Sequence, residues 1–330
     1  MLIVPDGDAD GLSSGVIAWR AVERLGAVPC VLHPERGEHV HTPRIQRRIS
    51  ALRPDLVLVL DMGSRAGAIA EGIPTVILDH HVPAGLPPGA ILVSAAGRDE
   101  ETATSALTWD VLGGVAGVEL AGLEWLRAFG LAGDLGVDRA MKEASVPGTR
   151  KALSTAVALV NAANRSASRD IEAAFRALLD AKGPDDIAAQ RVPTAKRLAA
   201  MREEVNAEVT RCSRTPPRFA GEFALLLFAS GARVHPLVAT RWTRRLSESV
   251  VIAANVGYLP GRVNFAMRSA KERDLISLLR GFRLPEGEEV AHGHARATGG
   301  SLPVPDFVDL LGQMGFGAEA TALEGLAHLA

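Results

Sequence analysis

The sequence predicts an α/β protein: an N-terminal, mostly parallel sheet flanked by helices, joined by a helical linker to a smaller α/β domain. Three observations predict it. Short runs that are apolar throughout, such as Leu56–Leu60, alternate with helical stretches in the N-terminal third, as strands buried on both faces do. A purely helical region follows. After the loop signal Ser213-Arg214-Thr215-Pro216-Pro217, strands resume.

Taken in order, Leu2–Val4 reads as a strand, and Leu12–Leu25 sets Val16, Ile17, Ala21 and Leu25 at helical spacing. Val28–Leu32 reads as a strand, Pro43–Leu52 as a basic amphipathic helix and Leu56–Leu60 as a buried strand. Arg65–Ala70 is expected to be a short helix, with strands at Thr75–Leu78 and Ile91–Val93. Helices are expected over Ala103–Leu112, Leu120–Leu131, Arg150–Asn164, Ile171–Leu179 and, as one connecting helix, Ile187–Arg211. Strands follow at Phe223–Phe228, Val250–Val256 and Arg262–Met267, with helices at Leu237–Leu246 and Leu275–Phe282. A Gly-rich segment, His292–Gly300, precedes a final pair of short helices. The expected domains are 1–186, a helical linker 187–217, and 218–330.

Composition narrows the function classes. With 330 residues, 47% hydrophobic and 22% charged, the chain is globular rather than disordered or fibrous. No apolar run approaches the roughly 18 residues that span a bilayer, and Met1–Asp10 lacks the pattern of a signal peptide, so a cytoplasmic, soluble protein is expected. The two cysteines, Cys30 and Cys212, show no ligand spacing and read as buried free thiols. A net charge of −2 excludes a uniformly basic nucleic-acid binder, while 36 Lys and Arg leave room for a local basic groove. Trp109, Trp125 and Trp242 lie on apolar helix faces and read as core. Arg44, Arg47, Arg48 and Arg53 follow one helix face and read as solvated.

Three acidic features share one placement. Asp6-Gly7-Asp8-Ala9-Asp10-Gly11 follows the first strand, Asp61 follows Leu56–Leu60, and Asp79-His80-His81 follows Val76–Leu78. Ligands of open α/β sheets gather at the carboxyl ends of the strands. Five carboxylates and two imidazoles crowded at one sheet edge would repel unless cations neutralise them. Oxygen donors mixed with imidazole suit Mn²⁺ or Mg²⁺, with Zn²⁺ as an alternative. A single Asp after a strand is ordinarily a turn or a helix cap. A twelve-residue calcium loop would need an acid where this chain has Ile17. Three acidic strand ends together exceed what turns require.

These motifs resemble the DHH phosphoesterase superfamily, named for the motif seen here as Asp79-His80-His81. The first motif is similar to the D-x-D-x-D-G form of its RecJ-like branch, with Asp6 where many small oligoribonucleases carry a histidine. Val57-Leu58-Val59-Leu60-Asp61 and Leu131-Ala132-Gly133-Asp134 resemble the second and fourth motifs. Beyond the linker, Ala266-Met267-Arg268-Ser269 resembles the S-x-R-S strand of the companion domain (DHHA1). His292-Gly293-His294-Ala295-Arg296-Ala297-Thr298-Gly299-Gly300 resembles its glycine-histidine signature.

The resemblance implies a DHH domain followed by a DHHA1-type domain and a hydrolase of phosphoric esters holding two Mn²⁺, with Mg²⁺ as a substitute. Asp8 and Asp134 would hold one cation, Asp10 and His80 the other, with Asp61 bridging and Asp6 as a further ligand or outer acid. His81 would face the phosphate or leaving oxygen, and Asp79 would orient an imidazole or accept from a backbone N–H. Arg268, Ser269, Gly293, His294, Arg296, Gly299 and Gly300 would bind substrate phosphate from a Gly-rich turn. The expected partner is a short oligonucleotide or nucleotide phosphodiester, bound between the domains and cut from its end, with no membrane and a homodimer as the assembly. The alternatives are a compact RecJ-like single-strand exonuclease, an enzyme for 3′-phosphoadenosine 5′-phosphate or cyclic dinucleotides, and a nucleotide-binding sensor.

Overall fold

The computed structural model describes residues 1–143, 148–285, 290–294 and 296–317. The chain divides into two compact units. One comprises Met1–Asn164 with Arg169–Arg202, the other Arg165–Ser168 with the chain from Glu203 onward.

In the first unit, β1 (Leu2–Pro5), α1 (Ala9–Arg24), β2 (Cys30–Val31), α2 (Pro43–Leu52), β3 (Val57–Leu60), β4 (Thr75–Asp79) and β5 (Ala90–Ser94) follow one another. The strands form a five-stranded sheet of order β2-β1-β3-β4-β5, every neighbouring pair parallel. Because β1 passes to β2 on one side and to β3 on the other, the strand order reverses between β1 and β3. That reversal opens a crevice beyond their carboxyl ends. Side chains alternate across the sheet. Leu2, Val4, Val57, Val59 and Ile77 pack with Ile45 and Ile49 of α2 on one face. Ile3, Leu58, Leu60 and Leu78 pack with Ala18 of α1 on the other. The helices α3 (Thr104–Gly113), α4 (Glu124–Asp134), α5 (Val137–Glu143), α6 (Arg150–Arg165), α7 (Ile171–Asp180), α8 (Pro184–Ala188) and α9 (Ala195–Cys212) follow.

The second unit is built from β6 (Arg218–Ala220), β7 (Phe223–Phe228), α10 (His235–Thr243), β8 (Val250–Asn255), β9 (Arg262–Ser269), α11 (Leu275–Arg280), β10 (Val290–His294), β11 (Ala297–Pro303) and α12 (Val304–Gln313). Its sheet runs β10-β11-β9-β8-β7-β6 and is mixed: β7 and β8, joined through α10, are parallel, and the other pairs are antiparallel. Val250, Ile252, Val263, Phe265 and Met267 point to one face, where Leu275, Leu279, Phe307 and Leu310 cover them. Each such large apolar side chain contributes about 1.5–3 kcal/mol on burial.

Several elements differ from expectation. Arg65–Ala70 is not a helix: Gly63 and Gly72 take left-handed conformations on either side, Ile69 is buried as a loop residue, and Gln46 Nε2 binds Ala68 O at 2.6 Å. The connecting helix is broken into α8 and α9, with Gln190 at φ 56° and Pro193, which has no N–H to donate, between them. The Gly-rich segment is a β-hairpin rather than an open turn. Gly299 sits where an added methyl would collide with the Phe265 carbonyl, so its glycine serves close strand contact. Strand β6 and helix α5 carry no sequence signal that singled them out. Cys30 is exposed on the short edge strand β2, not buried, whereas Cys212 is buried. Of the final helix pair, α12 is present and 318–330 lies outside the described residues. No described helix is long and apolar enough to cross a membrane.

Candidate metal centre

The loop from β1 into α1 is shaped by its acids. Asp8 is the N-cap of α1, accepting from the backbone N–H of Asp10 and of Gly11, each at 3.1 Å. Such a cap is worth about 1 kcal/mol. A methyl on Gly11 would lie 2.7 Å from Asp6 O, so only glycine allows the loop to close this tightly. Asp10, one residue into the helix, is fully buried, and its two oxygens accept from Thr104 N at 2.7 Å and Ser105 N at 2.9 Å. A first-turn side chain of α1 thus caps the N-terminus of α3, where free amides and the helix dipole favour a carboxylate. Helix α4 passes close by because it carries glycines. A methyl on Gly130 would strike Ser105 and Asp10, and one on Gly133 would lie 2.9 Å from Ala9 Cβ. Asp134, at the end of α4, is delivered to the site by that packing.

The other two strands supply the rest. Asp61 follows β3 in a left-handed conformation, φ 64°, and its Oδ1 accepts from Thr104 Oγ1 at 2.8 Å. Non-glycine residues held there store strain, which functional sites tolerate. Asp79 ends β4. Its Oδ2 accepts from Gly63 N at 2.5 Å, and its Oδ1 accepts from His81 N at 2.7 Å and stands 2.9 Å from His81 Nδ1. His80 Nε2 lies 3.1 Å from Asp134 Oδ2 and 3.4 Å from Asp61 Oδ1. His81 Nδ1 is 3.8 Å from Asp61 Oδ1.

Two groups of donors therefore converge, Asp10–His80–Asp134 and Asp61–His80–His81, their ligand atoms within 4.8 Å of one another. Asp8 belongs to neither group, although its charge acts on the site together with that of Asp6. Burial raises the carboxyls of Asp8 and Asp61 well above the usual range, and neighbouring carboxylates add to it. Burial and the Asp134 charge raise Asp10 to about 6. Burial disfavours the His80 cation, yet its contacts with Asp134 and Asp61 raise it to about 11. One imidazolium cannot balance these acids, so the site demands further positive charge.

The donors fit a divalent cation. His80 Nε2 is buried and makes no well-aligned hydrogen bond, although two carboxylates lie within ion-pair distance, so its nitrogen is aimed at a shared centre. Carboxylates with one imidazole match Mn²⁺ or Mg²⁺ chemistry.

Sequence reasoning missed Thr104, Ser105 and Gly130. The pair Thr104-Ser105 is legible as a helix start, but nothing local says that its amides serve Asp10. It also missed His39, whose Nε2 lies 2.5 Å from Met62 O and so ties down the loop after Asp61. Arg44 and Arg48 pair with Glu35 and Glu38. Trp125 is buried.

In the second unit, Arg268, Ser269 and Arg296 line one cavity of about 300 Å³ with Thr240, Thr243 and Arg244. Gly293 and His294 lie in β10, His294 opposite Ala297, and its side chain is outside the described residues. Gly299 and Gly300 pair with Ala266 and Phe265 inside the sheet, away from that lining.

No protein-family model and no curated protein matches the chain. Solved structures do match in fold. An exonuclease RecJ bound to manganese aligns over 97% of this chain and 89% of its own, with 21% identity and a TM-score of 0.65. The chain has the DHH-type fold. RecJ of Thermus thermophilus in complex with Mn²⁺ gives 20% identity and a TM-score of 0.70 over 97% of this chain, which spans only 52% of that longer protein. The pGpG-specific phosphodiesterase PggH from Vibrio cholerae gives 14% identity and a TM-score of 0.51, covering 98% of this chain and 99% of its own. Within the DHH-type fold, Asp10, Asp61, His80 and His81 stand just beyond the carboxyl ends of β1, β3 and β4, and Asp134 at the end of α4 joins them.

Proposed function

We propose that the chain is a divalent-metal-dependent phosphodiesterase that hydrolyses terminal phosphodiester bonds of short oligonucleotides, with two Mn²⁺ as its cofactors. The observation that carries this reading is the convergence of Asp10, Asp61, His80, His81 and Asp134 on shared centres. Asp8, Asp10, Asp61, His80 and Asp134 would hold the cations, with Asp6 adding charge beside Asp8. Bound there, the cations supply charge to the phosphoryl oxygens and acidity to the attacking water.

The chain's own residues do the rest. Asp10 is fixed by the α3 amides and Asp61 by the Thr104 hydroxyl, so the ligands need little reorganisation. Asp79 Oδ1, 2.9 Å from His81 Nδ1, would orient the ring; in the doubly protonated ring Nδ1–H would donate to Asp79 and the Nε2 proton would pass to the departing oxygen, leaving a neutral imidazole. The His81 side chain is 44% exposed, as a group facing substrate must be. Arg268, Ser269 and Arg296, with the strand segment Gly293–His294, would hold a substrate phosphate in the second unit, whereas Gly299 and Gly300 serve the strand pairing.

The test is a Mn²⁺-dependent turnover panel of short and long RNA and DNA strands, 3′-phosphoadenosine 5′-phosphate and a cyclic dinucleotide, with Asp61→Asn as control. Asparagine tolerates the left-handed backbone at this position, so the variant removes charge without adding strain. Preference for short strands, lost in Asp61→Asn, supports the reading. The likeness to RecJ favours one second reading, and processive degradation of the long strand would establish that instead. Full Mn²⁺-dependent activity in Asp61→Asn would remove the site assignment.

A further inference from the structure

Helix α6 is apolar along its buried side except at Asn161 and Asn164. Asparagine is a weak residue for a helix interior, because its side chain competes for backbone hydrogen bonds, and a buried amide is retained where it has a partner. Residues three apart share a helix face, and both asparagines address the Asp6–Asp10 loop. Asn161 Oδ1 accepts from Ala9 N at 2.9 Å, a buried hydrogen bond across 152 residues of chain. Asn164 stands against Gly7, where an added methyl would lie 3.2 Å from its Cγ. Asn164 Oδ1 in turn accepts from Arg169 Nε at 3.2 Å, and Arg169 Nη1 donates to Pro34 O at 2.5 Å. The end of α6 thus grips the loop that carries Asp8 and ties it to the segment after β2.

The amides of the first turn of α1 are thereby assigned. Ala9, Asp10 and Gly11, the first three residues of the helix, have N–H groups that the helix itself leaves without partners. Asp8 Oδ1 accepts from the second and third, and Asn161 Oδ1 from the first. Leu12 N begins the helical ladder on Asp8 O at 2.9 Å. No amide of that turn is left to draw Asp8 Oδ2, which accepts from no donor among the described residues. With Ala9 N unoccupied, the same carboxylate would have a third amide to turn to, since a free donor at a helix start attracts negative charge. Ala9 is also fully buried, so its amide cannot fall back on solvent and needs the partner that α6 supplies.

We propose that Asn161 is a positioning residue of the metal centre. By taking the Ala9 amide it keeps Asp8 in one orientation, with Oδ1 committed to α1 and Oδ2 as the single oxygen offered to a cation. The proposal rests on the reading of Asp8 as a cation ligand. Asn161 acts through the loop, and none of the motifs that carry the acids and histidines contains it.

The test compares Asn161→Leu, which keeps the size and removes the acceptor, with Asn161→Asp, which restores an oxygen. Asn161→Ala is a second acceptor-free variant that adds no bulk. Leucine and alanine are better helix formers than asparagine, so loss of α6 is not the expected cause of any change. Amide exchange of the full chain in EDTA, read by NMR, should show the Ala9 N–H exchanging about tenfold faster in Asn161→Leu and protected again in Asn161→Asp. Calorimetry should show Mn²⁺ affinity about 10–100-fold weaker in Asn161→Leu, the range for a residue that supports a ligand from behind. In an Asp8→Asn background the same substitution should cost no further affinity, because its effect passes through Asp8. Acceptor-free variants with wild-type Mn²⁺ affinity would overturn the proposal, as would losses that simply add in the double variant, which a general loosening of the fold would give. A wild type that binds no Mn²⁺ would remove the metal-dependent reading and this role with it, whereas Mn²⁺ binding indifferent to Asn161 removes the role alone.

Discussion

Gly130→Ala puts two opposing effects in one residue. Alanine is the better helix former by about 0.8–1 kcal/mol, so propensity alone predicts a more stable α4. The structure predicts the opposite. The new methyl would lie 2.6 Å from Ser105 Cβ and would clash more severely with Ser105 Oγ and Asp10 Oδ1. Ordinary contact begins near 3.4 Å, so these neighbours must retreat by about 1 Å. Overpacking of this kind costs about 1–3 kcal/mol. The retreat also strains the two amide hydrogen bonds to Asp10, each worth about 1.5–3 kcal/mol when made to a charged group. The net expectation is a loss of about 2–3 kcal/mol and a displaced metal-ligand candidate. A misplacement of about 1 Å costs roughly 10²-fold in turnover. Differential scanning fluorimetry with a Mn²⁺ titration reads the first two effects, and the turnover panel reads the third. Gly133→Ala, whose contact is a single methyl at 2.9 Å, should show the same changes in weaker form. A Gly130→Ala protein that melts higher than the wild type and binds Mn²⁺ with unchanged affinity would refute the packing argument.

Thr104→Val keeps the shape of the side chain and the backbone amide that serves Asp10, but removes the hydroxyl that Asp61 accepts from. Mn²⁺ affinity, read by calorimetry, should fall about tenfold, in line with a hydrogen bond of about 1.5–3 kcal/mol to a charged group, and unchanged affinity would exclude that hydroxyl as a support. The pH dependence of the metal-free chain follows from the raised groups. Asp10 moves from 3.8 to about 6, so the folded chain holds a proton that the unfolded chain has released, and stability falls as pH rises through that window by on the order of 3 kcal/mol. His80, raised from 6.5 to about 11, acts in the same direction above pH 6.5, its contribution being complete below that value and lost through about 11. Melting temperature in EDTA should therefore decline from mildly acidic to alkaline pH, while the increment due to Mn²⁺ grows; an increment independent of pH would contradict proton displacement by the metal. Gly312→Ala in α12 meets nothing within 4 Å and should stabilise by about 0.5–1 kcal/mol, a rise of a few degrees that a thermal melt detects.

The first sheet is legible in the sequence because parallel strands buried on both faces leave no ambiguity of period: Val57–Leu60 and Ile77–Leu78 are apolar throughout, and the first polar residue after each is the acid that reaches the crevice. What was not legible depends on distance along the chain. Thr104 and Ser105 serve Asp10 across more than ninety residues, and no local pattern encodes that pairing. Gly130 reads as a weak point of a helix until α1 is placed beside it. The hairpin of β10 and β11 was read as a turn because glycine signals conformational freedom more often than close strand approach, and here Gly299 serves the second purpose. Arg65–Ala70 was read as a helix because its residues permit one, whereas Gly63 and Gly72 decide the path around it.

The acids of the site divide by how they are held, and this explains why the fold can keep them together without their cations. Asp8 and Asp10 are secured by backbone amides at the starts of α1 and α3, and Asp79 by the amides of Gly63 and His81. Each gives the folded chain a cap or a loop tie as well as a charge, so its position does not depend on metal. Asp61 accepts the Thr104 hydroxyl, and Asp134 has only His80 as an ion-pair partner among the described residues. Of the three carboxylates in the two donor groups, Asp61 and Asp134, which His80 Nε2 faces, are held by fewer protein hydrogen bonds than Asp10, so the need for added positive charge is concentrated between them. A divalent cation entering there would replace the proton of His80 as the counter-charge, while the capped acids keep their geometry. The same hydrogen bonds that stabilise two helix ends thus preorganise the site.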